Sequence, residues 1–158
     1  MSRALNSPFE VGLRLVVLLN AAFPKSYDVA TLTFLDHALL HSGELDGPES
    51  IHPPLPGRSG EIGVKRGLVS EGLMMMVRAD LVKLEISGAG ILYRAGEATN
   101  SFIDLLEAPY LVELASRAEW VVAEIDKDEP TGLRARMNGV FGRWSEEFDR
   151  SLSDSEGD

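Results

Sequence analysis

Apolar residues at 9, 13, 16 and 19 recur at helical spacing behind Ser7-Pro8-Phe9-Glu10, which reads as a helix start. Ser is a favoured N-cap, Pro presets the first helical φ, and Glu three residues after the cap completes a capping box. Val17, Leu18, Ala21 and Ala22 widen the apolar face, so this helix is predicted to be buried on most sides until Pro24 stops it. Asp28 is placed to cap a second helix through Leu32, Leu35, Leu39 and Leu40, with Gly43 as its stop.

Residues 43–58 break every period. They contain Gly47, Pro48, Pro53, Pro54, Pro56 and Gly57, and loops of this length inside a compact domain are usually functional or disordered. Ile51 and Leu55 offer apolar anchors, which predicts an ordered excursion over the surface. A third helix opens at Ser59 and runs to about Arg78, with Ile62, Leu68, Val69, Leu73, Met76 and Val77 as its apolar positions. Gly63, Gly67 and Gly72 each cost about 1 kcal/mol in a helix interior relative to Ala. Two explanations fit them: a backbone packed very close to the helix, or a break near Gly72.

Beyond this helix the period changes from helical to alternating. Val82, Leu84 and Ile86 interleave with Lys83 and Glu85, Ser87-Gly88-Ala89-Gly90 forms a turn, and Ile91 to Ala95 returns, which predicts a β-hairpin with a half-buried face. Asn100 is placed to cap a short segment ending before Pro109. Leu111, Leu114, Ala118, Val121, Val122 and Ile125 mark an amphipathic helix, and Leu133, Met137, Val140, Phe141, Trp144 and Phe148 a last one. Three helices followed by a hairpin form the order of a winged helix-turn-helix. The predicted fold is therefore mainly α with a small β-hairpin: a winged-helix core over residues 1–97, a helical extension packed on it over 98–149, and a disordered acidic tail over 150–158.

Composition narrows the function classes. The chain has 158 residues, no cysteine and 44% hydrophobic residues, which suits one globular domain in a reducing cytoplasm. The most apolar stretch, 11–23, carries Arg14 and Asn20 and is too short to span a bilayer, and the N-terminus lacks the apolar core of a signal peptide. Net charge is −10, which opposes nucleic-acid phosphates at long range. Residues 58–94 are the exception, with net charge +2 against −12 for the remainder. Lys65, Arg66 and Arg78 on the third helix, with Lys83 and Arg94 on the hairpin, form a candidate face for a partner or for DNA. Against DNA stands the fifteen-residue connection between helices two and three, where the DNA-reading motif uses a turn of three or four.

Chemistry-bearing motifs are sparse. His37 and His41 share a helical face, and Asp36, Glu44 and His52 are the residues that would complete a metal shell or a metal-dependent enzyme site. The residues between the histidines are Ala38, Leu39 and Leu40, so the general base of a zincin is missing. The simpler role for His41 and His52, with Arg58, is to anchor the long loop that they flank. The glycines at 57, 60, 63 and 67 do not match a phosphate loop, which ends in Gly-Lys-Ser/Thr. Pro53-Pro54-Leu55-Pro56 reads as rigid loop packing, and Trp120 and Trp144 as mostly core. No cofactor and no enzymatic activity are expected.

Several segments together resemble one family. These are Asn6-Ser7-Pro8-Phe9-Glu10-Val11-Gly12-Leu13-Arg14, Leu40-His41-Ser42-Gly43, Ile51-His52-Pro53-Pro54-Leu55-Pro56-Gly57-Arg58-Ser59-Gly60-Glu61 and Tyr93-Arg94-Ala95-Gly96-Glu97. They look like the middle component of bacterial ABC-three-component systems, and the similarity spans most of the chain. The resemblance implies an operon that also encodes an SMC/Rad50-like ABC ATPase and a variable effector, in defence against phages and plasmids. It implies a cytoplasmic, non-enzymatic winged-helix adaptor that holds ATPase and effector together, with at most indirect DNA contact inside the complex. The alternative from the residues alone is a small DNA-binding transcriptional regulator. The third helix departs from the family pattern in its Gly67 and its Met74-Met75-Met76 run. Asp80 is suited to the left-handed turn that Gly would otherwise make.

Overall fold

Ser7 caps the first helix as the sequence predicts: its hydroxyl accepts from the Glu10 amide at 3.2 Å, and Pro8 opens α1 (Pro8–Ala22). The computed structural model describes residues 7–52, 59–88, 90–127 and 132–139. Asp28 accepts from the Thr31 amide at 2.8 Å and starts α2 (Val29–Leu40). A short 3-10 turn (Ser42–Leu45) follows, then α3 (Ser59–Arg78), β1 (Val82–Ser87), β2 (Gly90–Ala95), α4 (Thr99–Asp104) and α5 (Pro109–Ile125). Residues 133–139 are helical as well. The fold is mainly helical with one small antiparallel hairpin.

α1 is the central element. It touches α2, α3, α4, α5 and β2, and Val11, Leu15, Val16, Val17, Leu18 and Leu19 are all buried. That is what an apolar face this wide requires, because a surface helix needs only one apolar stripe. Phe34, Leu35 and Leu39 of α2, Leu73 and Met76 of α3, and Leu114, Val121 and Ile125 of α5 close around it.

Of the α3 glycines, Gly72 is explained by close approach, whereas Gly67 faces open space. The helix runs unbroken through Gly72, and a Cβ there would lie 2.8 Å from the Gly12 nitrogen and from the Pro8 carbonyl oxygen. A Cβ on Gly12 would in turn lie 2.8 Å from the Gly72 carbonyl oxygen. α1 and α3 thus cross backbone to backbone. Asp80 ends the α3 region at φ +63°, the left-handed conformation expected of it.

The hairpin pairs Val82 with Ala95, Leu84 with Tyr93 and Ile86 with Ile91, and all six side chains share one face. Only the root of that face meets the core: Val82, Ala95 and Tyr93 are buried, whereas Leu84, Ile86 and Ile91 are exposed. Alternation alone predicts a uniformly half-buried face, but the strands outrun the helices beneath them. Tyr27, between α1 and α2, exchanges two 2.9 Å backbone hydrogen bonds with Tyr93 and pins the outer edge of β2.

α4 starts one residue earlier than its predicted cap. Asn100 lies inside the helix and bonds to Asn20, while the Thr99 hydroxyl donates to the Leu81 carbonyl at 2.8 Å and accepts from the Gly96 amide at 3.0 Å. Leu133 and Met137 are buried as the periodicity predicts. The other apolar positions of that last helix and the acidic tail lie outside the described residues. No described helix is long and apolar enough to cross a membrane.

Candidate functional site

Single charged residues in apolar runs meet at the centre of the molecule. Arg14 stands among the buried side chains of α1, and Asp36 among Phe34, Leu35, Ala38 and Leu39 of α2. Arg14 Nε donates to Asp36 Oδ1 at 2.8 Å and its Nη2 to Oδ2 at 3.1 Å, a bidentate pair in which Arg14 is 3% and Asp36 0% exposed. Lys65 of α3 brings its Nζ to 3.1 Å from Asp36 Oδ2, with its side chain 15% exposed. One carboxylate therefore ties α1, α2 and α3 together. Burial alone would raise the Asp36 carboxyl, but Lys65 and Arg14 outweigh it and hold the group well below the usual carboxylate range. Burial works against the Arg14 charge too, and Asp36 overcomes it.

The three histidines lie within electrostatic reach of this ion cluster. The His37 and His41 rings lie 4.9 Å apart, and those of His41 and His52 6.5 Å apart, edge to face. Burial pushes the His37 imidazolium down, the Lys65 charge adds to it, and the group titrates at about 4. His41 and His52 are lowered in the same direction, again first by burial and then by Lys65 and by Arg14, respectively. All three rings are therefore neutral at pH 7, as suits side chains beside two buried cations. His37 faces Glu44 at 3.6 Å. His41 is buried, and its Nδ1 has no hydrogen-bond partner among the described residues. No group of three His, Asp or Glu arranged to hold a metal ion occurs among the described residues.

The histidines also hold the two ends of residues 41–52 together. The His52 amide donates to the Leu40 carbonyl at 3.0 Å, and the His52 ring lies in hydrogen-bonding contact with the Tyr110 hydroxyl at 2.9 Å. α5 clamps the rest of this segment along one side. Arg117 Nη1 donates to Ser42 Oγ at 2.5 Å and to the Glu49 carbonyl, and the Trp120 ring lies against Gly47 so tightly that a Cβ there would fall 2.3 Å from Cη2. Arg136 reaches back to the Leu45 carbonyl at 2.5 Å. The first half of the long connection is thus an ordered strap over α2 and α5. Arg58 and the proline run at 53–56 lie outside the described residues.

The five cations of the candidate partner or DNA face differ in their state. Lys65 turns inward to Asp36. On the hairpin, Lys83 pairs with Asp80 and Arg94 with Glu85, the latter at 2.5 Å. Arg66 and Arg78 stand exposed on α3 and make no ion pair among the described residues.

The family model for the ABC-three component (ABC-3C) system middle component 2 matches residues 4–147. The chain belongs to this family. No curated protein and no solved structure matches it. A middle component 2 is one part of a multi-component system and so works among protein partners. In this middle component the matched region takes in the ion cluster, the strap and the hairpin. Sequence reasoning singled out His41 and His52 but missed the Arg14–Asp36 pair. The available signal was two isolated charges of opposite sign, each in the apolar run of a helix otherwise buried. Nothing in the sequence pointed to Arg117, because its partners are backbone and hydroxyl groups of an irregular segment.

Proposed function

We propose that the chain is a non-enzymatic adaptor with a winged-helix core, which links an SMC/Rad50-like ABC ATPase to an effector in a bacterial defence system against phages and plasmids. Membership of the middle component family carries this reading. The element order supports the winged-helix part: α1, the Tyr27 bridge to β2, α2, α3 and then the hairpin. The polar chemistry supports the adaptor part. Arg14, Asp36 and Lys65 are spent on an internal ion cluster, and the His52 ring and Arg117 hold the strap in place. These groups build a rigid body with fixed faces, which is what a protein that spaces two partners requires.

The test is whether the chain creates an association that its partners lack. Purified ATPase and effector from the neighbouring genes are mixed with and without the chain and sized by light scattering. A complex of all three that dissolves when the chain is left out supports the adaptor. An ATPase–effector complex of the same size without it would refute the role.

A second reading, a DNA-binding regulator, is favoured by one observation, the exposure of Arg66 and Arg78 on the third helix. It predicts salt-sensitive duplex binding that Arg66→Glu weakens. The body charge of −10, the inward pairing of Lys65 and the surface pairing of Lys83 and Arg94 favour the adaptor over it.

A further inference from the structure

The strap over residues 41–52 begins and ends on a histidine, and these two histidines close it. The His52 amide donates to the Leu40 carbonyl, and the His41 ring bonds to the His52 backbone. Because that amide is already given to Leu40, the ring donates to the His52 carbonyl. Its donor is Nε2, since Nδ1 is buried and has no hydrogen-bond partner among the described residues. The rings run in series from α2 to α5. His37 lies 4.9 Å from His41, His41 lies 6.5 Å from His52, and His52 stacks at 6.1 Å on Tyr110, whose hydroxyl it also contacts. Facing this series among the described residues are Arg14 of α1, Asp36 of α2, Glu44 of the 3-10 turn, Lys65 of α3 and Tyr110 of α5. Asp36 is already shared by Arg14 and Lys65, and Glu44 pairs with His37. His41 and His52 therefore stand beside two cations without a carboxylate of their own.

We infer that His41 and His52 form an acid-sensitive latch: a proton taken up by either ring releases residues 42–50 from α5 while the core around α1 stays folded. A proton added to His41 lands on Nδ1, where a buried N–H finds no acceptor and the new charge meets Lys65 and Arg14. A proton added to His52 makes both of its ring nitrogens donors, so the ring can no longer accept from the Tyr110 hydroxyl, and it adds charge near Arg14. Both penalties vanish when the rings swing out into water. The release spreads because Arg117 bridges the two arms of the strap, Ser42 on one and the Glu49 carbonyl on the other, and the ends cannot part without breaking that bridge. Opening lifts Gly47 off the Trp120 ring and so changes one face of α5. The latch stands on the geometry of the strap and does not depend on the adaptor reading.

An NMR series on the full chain from pH 7.5 to 4.5 tests it, reading the histidine ring shifts together with two close contacts. Gly47 against Trp120 reports the strap, and Gly12 against Gly72 reports the core. The expected result is that the Gly47–Trp120 contact fades at least about fivefold, with a midpoint below about 6.5 that coincides with the titration of His41 or His52, while the Gly12–Gly72 contact persists. A strap contact that survives protonation of both rings overturns the latch, and so do rings that stay neutral throughout the series. A strap released while both rings are still neutral would assign the release to the carboxylates of Glu44 or Asp46 and overturn it as well. Loss of both contacts at one midpoint would mean that the core unfolds with the strap, which likewise contradicts a latch.

Discussion

Gly12 and Gly72 face each other across the α1–α3 crossing so closely that a Cβ on either would lie 2.8 Å from a backbone atom of the other. Backbone cannot yield as a flexible side-chain end does, so Gly72→Ala must separate the helices. The expected loss is about 1–3 kcal/mol, in the range of overpacked cores. Gly67, on the same helix, has nothing within 4 Å of its Cβ position. Gly67→Ala is therefore expected to stabilise by up to about 1 kcal/mol through helix propensity alone. Urea denaturation of the two variants measures the contrast; equal effects would contradict the crossing.

The buried ion cluster predicts an asymmetry between breaking it and replacing it. Asp36→Ala leaves Arg14 and Lys65 buried without their shared carboxylate and is expected to cost about 3–5 kcal/mol. Replacing the whole cluster, as Arg14→Met, Asp36→Leu and Lys65→Met together, is expected to be close to neutral or stabilising. Denaturant midpoints at neutral pH decide it, and a triple variant less stable than Asp36→Ala would contradict the assignment.

Stability should fall with acid in two successive windows. His37 titrates at about 4 in the folded chain against about 6.5 when unfolded, so the unfolded state binds more protons between those values. Its contribution is complete above about pH 6.5 and is lost as pH falls toward 4, amounting to about 2–3 kcal/mol. The depressed Asp36 carboxyl acts further down: its contribution is present above the ordinary carboxylate range and disappears below it. Denaturation between pH 7.5 and 4.5 should show the slope, and His37→Gln should flatten it. An unchanged slope in the variant would place the titration elsewhere.

The strap over α5 predicts a local effect without global collapse. Arg117→Ala removes the donor shared by Ser42 and Glu49, so amide exchange over residues 42–50 should quicken while that of α1 stays slow. Gly47→Ala should give the same pattern and change the Trp120 environment, because the added methyl falls on the ring. Uniform exchange across the chain in both variants would show that the segment holds no independent position.

Much of the fold was legible because local rules carry it. Ser7 and Asp28 cap helices wherever they fold, the wide apolar face of α1 requires burial on most sides, and Val82 to Ala95 alternate as a hairpin must. What was not legible depends on tertiary register. Gly72 of α3 admitted either a kink or a close contact until Gly12 was found opposite it. Alternation gave the shared face of Leu84 and Ile86 but not where the core beneath it ends. Lys65 and Arg66 are adjacent cations in sequence, yet one turns inward to Asp36 and the other faces solvent, a difference set by one residue of helical rotation. The ion cluster was the least visible, since it draws one residue from each of three helices.

The adaptor claim is tested most directly by recovering a tagged copy of the chain from its native host and identifying the co-purifying proteins by mass spectrometry. The account predicts that an SMC-like ATPase and an effector come down together. Recovery of the chain alone, or with DNA and no protein partner, would contradict it and move the regulator reading to first place.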